Sequence, residues 1–159
     1  MVQELSKQGL EAWKGILFGH ATLVEVIDKE MARANLLPLD WYDALLALEL
    51  SPCHKLKMSD LAEKVLLSKS GLTRLVDRLE AKGYLRREAC RADRRVAYAV
   101  LTDDGLKARE ASWPTYRAAI QEHFISHLTE QEVEVIGAAL IRVSRKHREN
   151  LTCDSSCCD

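Results

Sequence analysis

The feature that most constrains the fold is a change of hydrophobic period at Gly83. Before it, "MSDLAEKVLLSKSGLTRLVDRLEAKG" repeats apolar residues at helical spacing, whereas "YLRREA" and "VAYAVLT" after it alternate as strands do. Ser59 and Ser68 are N-cap candidates and divide the first stretch into two short helices. Gly83 suits a left-handed C-cap. The pattern therefore predicts a helix-turn-helix followed by a β-hairpin.

The second of these short helices has one apolar and one polar face. The apolar face, spaced i, i+3, i+4 and i+7, is predicted to be buried and comprises Leu72, Leu75, Val76 and Leu79. The polar face carries Ser70, Thr73, Arg74 and Arg78. A helix of this kind fits the major groove of DNA, where arginine binds guanine edges or phosphates. Backbone amides near Ser68 and Lys69 would add a phosphate site at the helix start.

Basic residues are concentrated in this part of the sequence. Positions 69–95 contain nine basic and four acidic residues, whereas the rest of the chain contains 14 basic and 20 acidic residues. The residues on or beside the predicted hairpin loop include Arg91, Arg94 and Arg95, which suit the minor groove, and Asp93, which is expected to orient one of these arginines. The concentration predicts contact with a polyanion, and the alternative is a solvated charged face.

Helical patterns continue on both sides of this region. The first predicted helix covers residues 7–34, and the second begins after Asp40, an N-cap candidate. Another helix begins at Thr102 and is interrupted or bent at Pro114. The last helix begins with a capping box formed by Thr129 and Glu132. A small core cannot cover helices of this length, so they predict subunit pairing, with a monomeric bundle as the alternative.

The segment that contains the helix-turn-helix and the hairpin resembles a known protein family. "MSDLAEKVLLSKSGLTRLVDRLEAKGYLRREACRADRRVAYAVLTDDGLK" resembles the winged helix-turn-helix core of MarR-type transcriptional regulators. The D-x-R element matches residues 93–95, and "LT-x-x-G" matches Leu101, Thr102 and Gly105. The resemblance implies a homodimer formed by the terminal helices that binds a pseudo-palindromic operator in double-stranded DNA. It also implies a repressor released by a small molecule or by oxidation.

The predicted fold is mainly α with a small β-hairpin wing: a winged helix-turn-helix core with N- and C-terminal dimerisation helices. Residues 1–37 and 103–151 are assigned to the helical dimerisation region, 38–102 to the DNA-binding domain and 152–159 to a cysteine-rich tail. The predicted function is sequence-specific transcriptional regulation, with a small-molecule, oxidant or metal signal. The alternative is a helical protein-interaction or metal-responsive module without sequence-specific DNA binding.

The five cysteines give a weaker signal. Candidates for thiol or soft-metal sensing are Cys90 at the wing and Cys153, Cys157 and Cys158 in the tail, whereas the alternative is incidental thiols. The odd number argues against a disulfide framework. With 47% hydrophobic residues, no apolar run long enough to span a bilayer and no signal-peptide pattern, the expected compartment is the cytoplasm.

Catalytic motifs are missing from the sequence, so an enzyme is not expected and no cofactor is required. His123 and His127 are four residues apart on one predicted helix, a spacing that can hold a metal, although surface or packing roles are more usual. Trp13, Trp41 and Tyr42 are expected in the core, with the alternative that they line an effector cavity, as in members of the resembled family.

Overall fold

The computed structural model of the protein describes residues 4–65, 67, 69–90 and 96–148, with the backbone alone at positions 69 and 146–148. Six helices lie in this part of the chain: α1 Lys7–Arg33, α2 Leu39–Glu49, α3 Met58–Lys64, α4 Lys69–Ala81, α5 Asp103–His123 and α6 Glu130–Arg148. Three strands accompany them: β1 Lys55–Lys57, β2 Leu85–Ala89 and β3 Ala97–Leu101. The predicted fold, mainly α with a small β wing, is confirmed.

The strands form one antiparallel sheet in the order β1-β3-β2. β2 and β3 are the predicted hairpin, with Leu85 opposite Leu101 and Ala89 opposite Ala97. β1 adds a third strand through Leu56, which lies opposite Ala99. The sequence analysis missed β1 because three residues are too few to show an alternating pattern.

The larger hydrophobic core lies beneath the helix-turn-helix. The four residues predicted for the inner face of α4 are all buried: Leu72, Leu75, Val76 and Leu79. They pack in one cluster with Leu45 and Leu48 of α2 and Leu61 of α3. Burial of a leucine side chain contributes roughly 1.5–3 kcal/mol, so this cluster fixes the orientation of α4. The outer face of α4 is thereby turned away from the core.

A second, smaller cluster joins α1 to α5. Ile27 and Met31 of α1 pack against Ala119 of α5 and Leu39 of α2. The backbone N–H of Leu39 donates to Asp28 Oδ1 at 2.9 Å, which ties the start of α2 to α1. The long first helix therefore contributes to the protomer core through its C-terminal turns.

Two predicted N-caps are wrong. Pro38 occupies the N-cap position of α2, and Asp40 lies in the first turn because Asp28 of α1 supplies the carboxylate at this end. Lys57 occupies the N-cap position of α3, so Ser59 lies inside the helix and its hydroxyl donates to Asp60. The cause is β1, which runs directly into α3. The third candidate, Ser68, lies outside the described residues.

The other helix boundaries follow their local signals. The backbone N–H of Thr129 donates to Glu132 Oε2 at 2.8 Å and the N–H of Glu132 donates to Thr129 Oγ1 at 3.3 Å, which confirms the capping box. Of the two effects expected of Pro114, an interruption is wrong, because α5 continues through it, and a bend stays a prediction. Both Pro114 and Glu110, whose carbonyl loses its helical donor, are exposed, so water can replace the missing hydrogen bond.

The wing is joined closely to the start of α5. Thr102 caps α5 by accepting from the N–H of Gly105 at 3.1 Å, and its hydroxyl donates to the carbonyl of Gly83 at 2.6 Å. Gly83 has φ of 75°, as its predicted C-cap position requires. A Cβ at Gly105 would lie 2.0 Å from the carbonyl oxygen of Tyr84, so only glycine fits there.

The two terminal helices leave apolar surface uncovered. None of the described side chains of α6, residues 130–145, is buried, and Val135, Ile141 and Val143 are each more than half exposed. On α1, Trp13 and Phe18 are 56% and 72% exposed. None of the described helices is both long enough and apolar enough to span a membrane.

Candidate nucleic-acid interface

The candidate interface is the outer face of α4 together with the neighbouring hairpin. α3 and α4 form the helix-turn-helix, and the turn between them is closed by the N–H of Leu67 donating to the carbonyl of Ala62 at 3.1 Å. The exposed residues of α4 are Ser70, Thr73, Arg74, Asp77, Arg78 and Ala81. Four of the predicted contact residues therefore share one exposed face.

Arg74 is the arginine of this face whose guanidinium is most available. It is exposed and has no carboxylate partner among the residues that the structure describes. A guanidinium presents a planar fork of donors that matches phosphate oxygens or the O6 and N7 atoms of guanine. Arg74 can therefore bind a nucleic acid without first breaking an ion pair.

Arg78, in contrast, is already engaged. Its Nη2 lies 3.3 Å from Asp40 Oδ2, and its guanidinium carbon lies 5.8 Å from the centre of the Trp41 ring. These contacts tie α4 to the first turn of α2. The ion pair is about half exposed on both sides, and such pairs contribute only about 0–1 kcal/mol. A phosphate group can therefore compete with Asp40 for Arg78.

The hairpin is held against α4 by Arg87 of β2. Its guanidinium donates to Asp77 Oδ1 and Glu80 Oε2, and its backbone N–H donates to Glu80 Oε1 at 2.8 Å. Burial alone would lower the pKa of Arg87, but the hydrogen bonds and charges of the two carboxylates outweigh it and raise that pKa. The sequence analysis did not assign Arg87 a role, although carboxylates three residues apart on α4 were a usable signal.

A second set of ion pairs links the strands of the wing. Glu88 of β2 accepts from Lys55 of β1 at 3.0 Å and from Arg86 at 2.8 Å. Hydrogen bonds from Lys55 and then Arg86 lower the pKa of Glu88. Asp77, Glu80 and Glu88 are thus each paired with a basic residue, so the three acidic groups of this basic stretch that the structure describes are neutralised locally.

The hairpin loop itself, with Arg91, Asp93, Arg94 and Arg95, lies outside the described residues, as do Ser68, Cys153, Cys157 and Cys158. The structure brings the base of the loop beside the helix-turn-helix, where the N–H of Cys90 donates to the carbonyl of Val96 at 2.9 Å. Cys90 is partly buried at that base. Lys69 is the first residue of α4.

A cavity of about 430 Å³ lies between the α1–α2 connection, the start of α2, the segment that follows α4, and α5. It is lined by Asn35, Leu36, Leu37, Pro38, Trp41, Lys82, Tyr84, Ala108, Ala111 and Ser112. The indole nitrogen of Trp41 is buried and has no hydrogen-bond partner in the described part of the chain. Three aromatic residues were expected in the core. Tyr42 is buried there, Trp41 lines the cavity, and Trp13 is exposed, so the expectation is wrong for Trp13.

Known proteins share this arrangement. A family model described as MarR family matches residues 35–96. AbsC, a MarR family transcriptional regulator from Streptomyces coelicolor, superimposes with a TM-score of 0.78 at 30% identity, over 93% of this chain and 99% of AbsC. This chain belongs to the MarR family of transcriptional regulators.

Other relatives agree with membership of the MarR family. The HTH-type transcriptional regulator MhqR of Bacillus subtilis (strain 168) is 38% identical over 86 residues, which are 54% of this chain and 59% of MhqR. The match thus spans less than two thirds of MhqR. Sco3205 of Streptomyces coelicolor, a MarR family regulator crystallised with DNA, has a TM-score of 0.80 at 27% identity, over 92% of this chain and 91% of Sco3205. These relatives are transcriptional regulators rather than enzymes.

The prediction that His123 and His127 lie on one helix of this MarR-family protein is wrong. His123 is the last residue of α5, because Phe124 leaves the helical conformation with φ of −123° and ψ of −63°. His127 lies in the separate 3₁₀ turn Ile125–His127. The two histidines are therefore not on one helix, and the four-residue spacing does not place them on one face.

Proposed function

We propose that this MarR-family protein is a sequence-specific regulator that binds double-stranded DNA as a homodimer. The observation that carries the proposal is the division of α4 into a buried inner face and an exposed outer face with an available Arg74, next to the hairpin. One helix fits the major groove, and a hairpin at its side reaches the adjacent backbone or minor groove.

Within this proposal the contacts fall into three groups. The side chains assigned to the major groove are Ser70, Thr73, Arg74 and Arg78, and the start of α4 at Ser68 and Lys69 is assigned to a phosphate. The residues of the loop assigned to the minor groove are Arg91, Arg94 and Arg95, with Asp93 orienting one of them. The alternative is an interaction module whose basic wing binds no polyanion.

Dimerisation is proposed through residues 1–37 and 103–151, with 38–102 as the DNA-binding domain and 152–159 as a tail. The exposed apolar side chains of α1 and α6 support it, since a second copy would bury them. Two-fold symmetry would place two α4 helices about 34–36 Å apart, one turn of DNA, which suits a pseudo-palindromic operator.

The proposed mode of action is repression relieved by a signal. The cavity between the start of α2 and α5 supports a small-molecule effector, since Trp41 and Tyr84 give it aromatic walls and Lys82 supplies a cation. Oxidation of Cys90, or of Cys153, Cys157 and Cys158, is the alternative signal. The proposal needs no cofactor and no catalytic activity, and the compartment that we propose with it is the cytoplasm.

The proposal is tested by selecting bound sequences from a random duplex library with the reduced protein. Enrichment of an inverted repeat is the expected result. On the selected duplex, Arg74→Ala should weaken binding by roughly 1–3 kcal/mol and relax the preference at one base pair, whereas Arg117→Ala, an exposed arginine of α5, should bind like the parent. Failure to enrich any sequence, with affinity insensitive to salt, would favour the interaction module.

A further inference from the structure

Three side chains with metal-ligating atoms converge where α1 meets the end of α5. They are Glu30 of α1 and Glu122 and His123 in the last turn of α5. One carboxylate oxygen from each glutamate and one ring nitrogen of His123 all lie within 4.8 Å of one another. We propose that this cluster binds a divalent transition-metal ion of the zinc class.

The fold holds the cluster at the edge of the second hydrophobic core. Ile27 and Met31 are buried on either side of Glu30 along α1, and Ala119 is buried one turn before His123 on α5. The ligands thus come from two helices that are packed against each other rather than from loops. Sites built on packed helices keep their ligands in place more precisely than loop sites do.

The donor set matches the zinc class of ions. An imidazole nitrogen and carboxylate oxygens bind Zn²⁺ at about 2.0–2.2 Å, so neighbouring ligand atoms of a tetrahedral site lie roughly 3.3–3.6 Å apart. His123 Nε2 and Glu30 Oε1 are now 2.6 Å apart in a direct hydrogen bond. An ion therefore needs them to separate by only about 1 Å. Three protein ligands leave a fourth position for water.

Burial and charge favour an ion over a simple ion pair. The side chains of His123 and Glu30 are 24% and 29% exposed, which keeps part of the site away from water, while Glu122 is exposed and free to turn inward. The two carboxylates and the imidazole nitrogen converge closely enough to offer a divalent cation three donor atoms at once.

The test is calorimetric titration of Zn²⁺ into the full-length chain with Cys153, Cys157 and Cys158 replaced by serine, so that tail thiolates cannot contribute. The expected result is saturable binding of one ion per chain and a higher Tm with Zn²⁺. His123→Gln should weaken binding at least about tenfold and abolish the Tm shift. Glutamine can still donate to Glu30, and circular dichroism without metal checks that the fold is kept.

Two control variants distinguish the loss of a metal ligand from a general effect of replacing an imidazole or a carboxylate. His127→Gln removes an exposed imidazole four residues away, and Glu110→Gln removes an exposed carboxylate of α5; both should bind Zn²⁺ like the parent. Lack of saturable binding in the parent, or equal affinity in His123→Gln, would overturn the proposal. DNA is absent from these measurements, so either result leaves the proposed regulatory function to its own test.

Discussion

Arg87 joins the wing to α4, so replacing it by alanine should change both the stability of the fold and the affinity for DNA. The guanidinium contacts Asp77 and Glu80, whose side chains are 57% and 37% exposed. Solvent screening limits each such pair to about 0.2–1 kcal/mol. We therefore expect Arg87→Ala to lower the free energy of unfolding by about 0.4–2 kcal/mol, as measured by urea denaturation.

The same substitution also leaves two carboxylates unneutralised on the helix that faces the proposed DNA. Two unit charges about 8 Å apart in water interact by roughly 0.5 kcal/mol. Repulsion between the two carboxylates and nearby phosphates should therefore weaken the binding free energy by about 1 kcal/mol, which raises Kd roughly fivefold. The loss should be larger at low salt, because screening weakens it as ionic strength rises. Fluorescence anisotropy with the selected duplex at two salt concentrations measures both effects.

Two further variants test the cause of this loss. Arg86→Ala is the matched control, because Arg86 neighbours Arg87 but pairs with Glu88 on its own strand. It should bind DNA more strongly than Arg87→Ala. Adding Asp77→Asn and Glu80→Gln to Arg87→Ala should restore most of the affinity if the charges are responsible. Parent-like stability and parent-like affinity in Arg87→Ala would refute the reasoning.

Three other predictions follow from packing, capping and exposure. Leu75→Ala should lower the free energy of unfolding by about 2–5 kcal/mol in urea denaturation, because its side chain is fully buried. Hydrogen bonds from Thr129 lower the pKa of Glu132 below its ordinary 4.5, so its capping contribution is present above that value and lost as the pH falls through the folded pKa. The helicity of the parent should thus fall more on acidification than that of Glu132→Gln, which has no carboxylate to protonate at this cap. Ile141→Glu should shift the dimer towards monomer in light scattering, whereas Arg142→Glu should not.

The features that were predicted correctly depend on local sequence. The buried face of α4 follows from helical spacing, and the capping box follows from residues three positions apart. Thr102 and Gly83 were likewise placed by their own neighbours. In each case the residues that stabilise the element lie within a few positions of it, so the pattern alone carries the information.

The features that were missed depend on contacts between distant segments. Asp28 supplies the carboxylate at the start of α2 from a different helix, which no local pattern indicates. The pairing of Arg87 with Glu80 likewise joins β2 to α4, although the spacing of the α4 carboxylates was a usable signal, and β1 is too short to show an alternating pattern. The end of α5 at Phe124 was missed because neither glycine nor proline marks it. The DNA contacts stay predictions: the α4 side chains lie on an exposed face, and the residues of the hairpin loop lie outside the described residues.

The close approach at Gly105 has a mechanical consequence. The first turn of α5 rests on the backbone carbonyl of Tyr84, and Thr102 is bonded to Gly83 on the same side. Because Gly105 has no side chain, the helix backbone meets the Tyr84 carbonyl directly, with the Leu101 side chain packed beside the contact. If an effector or a metal ion shifts α5 along or across its axis, the hairpin must move with it by a similar distance, and the spacing of two wings along a DNA duplex would change directly.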